Sequence, residues 1–195
     1  MFDGRFKTQI ERYVRPVGES LRRTGLSPDH FTLLGLCVAA ASAVAIGTGK
    51  MQLGLLLVIC SALPDLLDGA LAKASNSASQ RGAFFDSVVD RVSDSFLFGG
   101  VAWFYASSDT PQFSIVPFAI LGASLIISYE RAKAESLGLY AKGGLMERAE
   151  RIILLCFGLL FDSLLKWVMV VMLVLVVMTA VQRFAKVWKQ AAVAP

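Results

Sequence analysis

The sequence predicts an all-α protein that crosses a membrane several times, and three observations predict it. Mean hydropathy is +0.61. Hydrophobic residues make up 55% of the chain and charged residues only 17%, against roughly 25% charged in soluble domains. Apolar stretches recur at close to the roughly 20 residues that a helix needs to span a bilayer. The charges are also sorted, with basic residues crowding alternate connections.

Six spans follow from the apolar stretches, at 31–48, 52–72, 83–106, 112–134, 149–164 and 167–186. Ahead of them, residues 3–24 place Ile10, Tyr13, Val14, Val17 and Leu21 at helical spacing between arginines and glutamates. That pattern fits an amphipathic helix lying in the membrane interface, or a helix packed on the bundle. "GLSPDHFT" (25–32) breaks this helix at Gly and Pro, and Asp29 is placed to cap the next one. "KASNSASQ" (73–80) reads as a short polar hairpin loop and "GLYAKGG" (138–144) as a second. The whole of 1–195 reads as one membrane domain, with no internal repeat and no low-complexity tract.

Basic residues fill the N-terminal segment (Arg5, Lys7, Arg12, Arg15, Arg22, Arg23), the 73–82 loop (Lys73, Arg81), the 131–151 stretch and the C-terminal end (Arg183, Lys186, Lys189). The intervening connections carry only Lys50 and Lys166. The positive-inside rule therefore places both termini and the 73–82 loop in the cytoplasm of a cell-membrane protein, with an even number of spans. The N-terminus is too charged for a secretory signal. Cys37, Cys60 and Cys156 all lie in apolar segments and read as small hydrophobes, not as a disulfide framework or metal cluster. No nucleic-acid partner is expected.

The chemistry concentrates in residues 62–96. Asp65 and Asp68 are three apart and share a face of the second span; Asp86 and Asp90 are four apart and share a face of the third. A helical hairpin turned by 73–80 brings the two faces together. Each carboxylate deep in a span costs about 2.5–3.5 kcal/mol on insertion scales, so four without partners would cost on the order of 10 kcal/mol. Lys73, Arg81 and Arg91 are too few and too loop-bound to neutralise them all. Divalent cations would, and hard carboxylate oxygens suit Mg²⁺ or Mn²⁺, with bridging carboxylates holding a close pair. The alternative for any single aspartate is a salt bridge or helix cap in a polar cavity. Asp94 continues the face of Asp86 and Asp90 by four more residues and reads as a structural or supporting acid. Gly69 and Gly82, beside the acids, admit a ligand or a close helix neighbour.

Written out, D65-L-L-D68-G69-A-L-A72-K73, eight residues, then G82-A-F-F-D86-S-V-V-D90 resembles the signature of the CDP-alcohol phosphotransferases, D-x2-D-G-x2-A-R-x8-G-x3-D-x3-D. The one departure is Lys73, where the family has Arg; lysine keeps the charge but not the planar fork that grips phosphate bidentately. The resemblance implies a six-span fold, usually a homodimer, in which a CDP-linked lipid such as CDP-diacylglycerol gives its phosphatidyl group to an alcohol and CMP leaves. By position, Asp65, Asp68 and Asp86 would hold one metal ion and Asp65, Asp86 and Asp90 a second, with Mg²⁺ the expected ion and Mn²⁺ possible. Asp90 would be the base that takes the acceptor's proton. Gly69, Ala72, Lys73, Ser79 and Gly82 would line the CDP-lipid site. "PDHFT" resembles the family's Pro-Asn/Asp-x-x-Thr element near the cytidine, which adds Pro28, Asp29 and Thr32.

A second region, "ISYERAKAESLGLYAKGGLMERAERIILL" (126–155), resembles the corresponding stretch of bacterial phosphatidylinositol phosphate synthases and their archaeal ether-lipid relatives. It gathers Arg131, Lys133, Arg148 and Arg151, and Arg183 follows in the last span. Arg148 and Arg151 stand three apart at a helix start, where guanidinium forks and the helix N-terminus both favour phosphate. The acceptor is then itself phosphorylated, as inositol 1-phosphate is; glycerol 3-phosphate is the alternative. The competing reading of these arginines is topology plus pairing with Glu130, Glu135, Glu147 and Glu150. From another class, a cation or proton transporter would also keep acids in the membrane. Such proteins often show paired half-chain repeats and broken helices, which this sequence does not.

Overall fold

The computed structural model describes the backbone of residues 28–74, 79–141 and 143–192, and the side chains of the same residues except Pro28 and 63–74. The expected interfacial helix over 3–24 lies outside these residues. Those described form six α-helices and no strand: α1 (Pro28–Gly47), α2 (Met51–Ala74), α3 (Gln80–Ala106), α4 (Ile115–Ser136), α5 (Arg148–Leu160) and α6 (Leu165–Ala191). Two single 3₁₀ turns, Pro111–Ser114 and Asp162–Leu164, lead into α4 and α6.

The helices fall where the apolar stretches predicted them, and the differences at their ends are local chemistry. α1 begins at Pro28, whose fixed φ suits a first helical position. Asp29 therefore lies within the first turn, beside the positive end of the helix dipole, and not at the cap position expected for it. α3 starts at Gln80, earlier than expected, because the Ser79 hydroxyl accepts the Gly82 amide at 3.0 Å and caps the helix. α1 and α4 each end in a paired C-terminal motif. Lys50 N–H donates to Ala45 C=O and Gly49 N–H to Ile46 C=O; Leu139 N–H donates to Ala134 C=O and Gly138 N–H to Glu135 C=O. Gly49 and Gly138 have φ of 80° and 72°, the left-handed conformation that such stops require.

The interior draws on all six helices, with Ile46 of α1 and Val58 of α2 joining the larger share from α3 to α6. Leu97, Phe98, Val101, Ile120, Leu155, Leu159, Leu165, Met169, Met172 and Val176 are almost wholly buried in one cluster. α1 packs extensively against both α2 and α3 among the described residues, so the two acid-bearing helices are joined through α1 as well as through their loop. The α1–α3 contact depends on small residues: a Cβ at Gly100 would stand 2.6 Å from the Ala43 carbonyl oxygen, the close approach favoured between membrane helices. Ser42 Oγ donates to Gly54 C=O at 2.9 Å and ties α1 to α2.

The exterior is as apolar as the interior. Phe118, Ile153, Trp167, Val171, Val181 and Phe184 are all more than half exposed, which a hydrocarbon environment explains and water does not. Trp167 and Trp188 mark the two ends of α6. They are separated by roughly 30 Å at about 1.5 Å per residue, the hydrocarbon thickness. By length and composition, three helices could cross unaided: 29–47 of α1, 111–136 including α4, and 162–191 including α6. α2 is apolar over Met51–Ala62, and α5 has 13 residues, about 20 Å of helix.

The connections sort to two ends as the charge pattern requires. Gln52 Nε2 donates to the carbonyls of Leu159 (3.4 Å) and Leu160 (3.3 Å), and the Lys166 ammonium lies 5.1 Å from the Phe113 ring centre. The charge-poor turns thus meet at one end. Among the described residues, the basic α4–α5 loop and the C-terminal end of α6 meet at the other, where Gln190 bonds Tyr140.

Candidate active site

At the basic end, α3 carries an acidic ladder. Asp86, Asp90 and Asp94 repeat every four residues and so stack on one helix face. Their surroundings differ sharply. Asp86 is exposed, the Asp90 side chain is 20% exposed, and the Asp94 side chain is 6% exposed.

α5 begins against this ladder. Arg148 Nη1 lies 3.0 Å from Asp90 Oδ1 while its Nε donates to Asp94 Oδ1 at 3.2 Å. Arg151 Nη2 donates to Asp94 Oδ2 at 3.2 Å, and its Nη1 to the Met146 carbonyl at 3.2 Å. Arg91 Nη1 stands 3.5 Å from Asp90 Oδ2. Two residues expected to meet the acceptor are therefore in direct contact with the expected base and its neighbour.

The loop between α4 and α5 is held by one face of α6. Thr179 Oγ1 accepts the Met146 amide at 3.1 Å. Arg183, buried, donates from Nη1 to Ile127 C=O and from Nη2 to Gly143 C=O, both at 3.0 Å, and stands 3.5 Å from Glu147. The Gln190 amide both donates to Tyr140 C=O at 2.8 Å and accepts the Tyr140 amide at 3.1 Å. Lys186 lies 4.5 Å from the Tyr140 ring centre. Arg183 and Arg151 are thus anchored on the same loop, at the Gly143 and Met146 carbonyls. Arg131 pairs with Glu135 at 3.0 Å and is part-exposed; Lys133 is exposed in the last turn of α4. The pairing with Glu135 and Glu147 follows the alternative reading of these arginines, and it coexists with their clustering.

Among the residues expected at the CDP-lipid, Thr32 is buried and lines a cavity of about 30 Å³ together with Ser61, Val89, Ser93 and Arg148. The N-terminal part of α1 thus shares a cavity with Val89 and Ser93 of α3, next to the ladder acids in sequence, and with Arg148 of α5. Asp29 is half-buried one turn away. Ser79 and Gly82 are engaged in the α3 cap. The side chains of Pro28, Asp65, Asp68, Ala72 and Lys73, and the surroundings of Gly69, lie outside the described residues; all six belong to α1 or α2.

Among the described residues, no three His, Cys, Asp or Glu side chains come together to hold a metal ion, and two of the four expected ligands are not among them. The ligands that are described do fit Mg²⁺ or Mn²⁺: Asp86 and Asp90 offer oxygen donors only, one turn apart, in the most accessible part of the ladder. Sequence reasoning missed the roles of Thr179 and Gln190. Thr179 carried a signal, as a polar residue interrupting the apolar run of α6, whereas Gln190 sits among the polar residues at its end.

Comparison with known proteins identifies the family. A family model described as CDP-alcohol phosphatidyltransferase matches residues 26–182. The chain is 36% identical over 146 residues to a phosphatidylinositol phosphate synthase of Mycolicibacterium smegmatis, covering 74% of this chain and 66% of that one. It is 34% identical over 190 residues to an archaetidylinositol phosphate synthase of Methanothermobacter thermautotrophicus, covering 95% and 93%. A crystal structure of Mycobacterium tuberculosis phosphatidylinositol phosphate synthase with CDP-DAG bound superposes with a TM-score of 0.87 at 35% identity, covering 94% of this chain and 98% of that one. The same enzyme has also been solved with manganese and citrate. The chain belongs to the CDP-alcohol phosphatidyltransferase family. It is a membrane-embedded transferase of substituted phosphate groups whose chemistry uses a divalent metal, Mg²⁺ or Mn²⁺.

Proposed function

We propose that this CDP-alcohol phosphatidyltransferase moves the phosphatidyl group of CDP-diacylglycerol onto a hydroxyl of inositol 1-phosphate, forming phosphatidylinositol phosphate and CMP. The observation that carries this reading is the contact between its two halves: Arg148, at the edge of the basic cluster, meets Asp90 of the acidic motif at 3.0 Å. A phosphate held by the cluster would set its own ring hydroxyls beside the acid. The similarity to a bacterial phosphatidylinositol phosphate synthase and an archaeal archaetidylinositol phosphate synthase supports the same acceptor.

In this reading Asp65, Asp68, Asp86 and Asp90 hold a pair of divalent ions; when bound, these supply the positive charge that polarises the pyrophosphate. Pro28, Asp29, Thr32, Gly69, Ala72, Lys73, Ser79 and Gly82 line the path of the CDP moiety. Arg131, Lys133 and Arg148 face the acceptor phosphate, while Arg151 and Arg183 add charge from beneath and keep the loop in place. Asp90 accepts the hydroxyl proton. The hydroxyl oxygen then bonds to the lipid-side phosphorus, the bond from that phosphorus to the bridging oxygen breaks, and CMP leaves with the electron pair. Positioning and fixed charge do most of this work, since a carboxylate base alone contributes about 10²–10⁴-fold.

The full chain forms one domain of six membrane passes, with the basic end, the site and both termini in the cytoplasm, and works as a homodimer. The test is CMP release by the purified protein from CDP-diacylglycerol and Mg²⁺ with inositol 1-phosphate, glycerol 3-phosphate, inositol or serine. Release with inositol 1-phosphate alone supports the reading; release with glycerol 3-phosphate alone replaces the acceptor. A diether CDP-lipid run in parallel defines the donor.

A further inference from the structure

We propose that Asp94 is a positioning residue for the transfer reaction, acting on Asp90 through Arg148. The proposal rests on the reading of Asp90 as the proton acceptor.

Asp94 is nearly sealed from solvent, with its side chain 6% exposed. A buried carboxylate needs partners, and each of its oxygens has a different one: Oδ1 receives Arg148 Nε and Oδ2 receives Arg151 Nη2, both at 3.2 Å. Arg151 is fixed in turn, 3% exposed and bonded to the Met146 carbonyl. One arginine fixed in this way would give the buried acid its counter-charge. The second does something else. Arg148 is only part-buried, and beyond Asp94 its guanidinium extends to Asp90 Oδ1 at 3.0 Å.

The result is a continuous series from the α4–α5 loop to the base: Met146 carbonyl, Arg151, Asp94, Arg148, Asp90. Asp94 and Asp90 stand one turn apart on the same face, and the planar guanidinium spans them, with Nε on one and Nη1 on the other. A lysine ammonium presents its donors from a single nitrogen on a flexible stem and lacks the rigidly offset pair that fixes both carboxylates in one orientation. The two acids and two arginines of the series balance in charge. Asp94 thus sets the depth and rotation of Arg148, and Arg148 sets the orientation of the Asp90 carboxylate toward the acceptor.

The test compares Asp94→Asn, Arg148→Lys and the double variant with wild type in purified, metal-loaded protein. Measured quantities are kcat, KM for CDP-diacylglycerol, thermal midpoint and Mn²⁺ affinity by electron paramagnetic resonance. Misplacing a reacting group by about 1 Å can cost on the order of 10²-fold in rate. Each single variant is accordingly expected to lose about tenfold or more in kcat, with donor KM and Mn²⁺ affinity within about twofold of wild type. The double variant should lose no more than about twofold beyond the worse single, since the two residues act as one unit. Wild-type kcat in the folded fraction of Asp94→Asn, with only a lowered thermal midpoint, would reduce Asp94 to a structural ion pair and overturn the proposal. If Asp94→Asn does not fold, Arg148→Lys decides alone, and wild-type kcat in it overturns the proposal equally. Wild-type protein inert with every acceptor removes the reaction assignment and this proposal together; active wild type with unaffected variants removes only this proposal.

Discussion

The acidic and basic sides of the site are built on opposite plans. On α3 the acids open outward, from buried Asp94 through Asp90 to exposed Asp86. On the other side the deepest cations are already engaged: Arg183 grips two backbone carbonyls, and Arg151 grips a carbonyl and a carboxylate. Of the cations expected at the acceptor, Arg131 and Lys133 stand toward solvent, with Arg148 between the two sides. The acidic side thus carries its more exposed carboxylates outermost, which suits the metal pair proposed for it. The basic side is arranged to hold its shape before any ligand arrives, so that less ordering remains to be done on binding.

The largest effect should come from the acidic side. Asp90→Asn is expected to lower kcat by 10³-fold or more, combining loss of the base and of a metal ligand, while the thermal midpoint changes little; CMP release and a melting curve on the same preparation check both. On the basic side the prediction splits by depth. Arg183→Ala leaves the Ile127 and Gly143 carbonyls without their donor, at a cost of about 3 kcal/mol, and should lower the thermal midpoint as well as raise the acceptor KM more than the donor KM. Arg131→Ala removes only an exposed ion pair with Glu135, worth about 0.3–0.5 kcal/mol, so it should leave the midpoint alone and raise acceptor KM by about tenfold, one charge-assisted bond. If Arg131→Ala and Arg183→Ala destabilised the protein equally, the division into a fixed layer and a binding layer would fail. The smallest effect is reserved for Lys73→Arg, which restores the family's residue and should tighten donor KM by a few-fold at unchanged acceptor KM.

Much of this was legible before any coordinates, and unevenly so. The helices follow from apolar runs of membrane length, and the acids from a spacing that places them on one face. Arg148 and Arg151 were identifiable as a pair at a helix start. Their partner was not, because Asp94 is 54 and 57 residues away in sequence and nothing local announces so distant a contact. The clamp of Thr179 and Gln190 on the α4–α5 loop spans 33 and 50 residues and was hidden for the same reason, whereas the Ser79 cap of α3 is a local bond to Gly82 that a serine before a helix could have announced. The clamp depends on which groups the tertiary fold leaves needing a hydrogen bond. Arg183 shows the limit of reading charge alone: the sequence marks it as a cation near phosphate, and the fold also makes it a tie between α4, α6 and their intervening loop.

The most direct measurement is the ratio of kcat/KM for inositol 1-phosphate to that for unphosphorylated inositol, in wild type and in Arg131→Ala. A phosphate read by at least two charge-assisted contacts, each worth about 1.5–3 kcal/mol, gives a ratio of roughly 10² or more. The account predicts that ratio in wild type and a drop of about tenfold in the variant. A ratio near unity, or one that Arg131→Ala leaves unchanged, would contradict it.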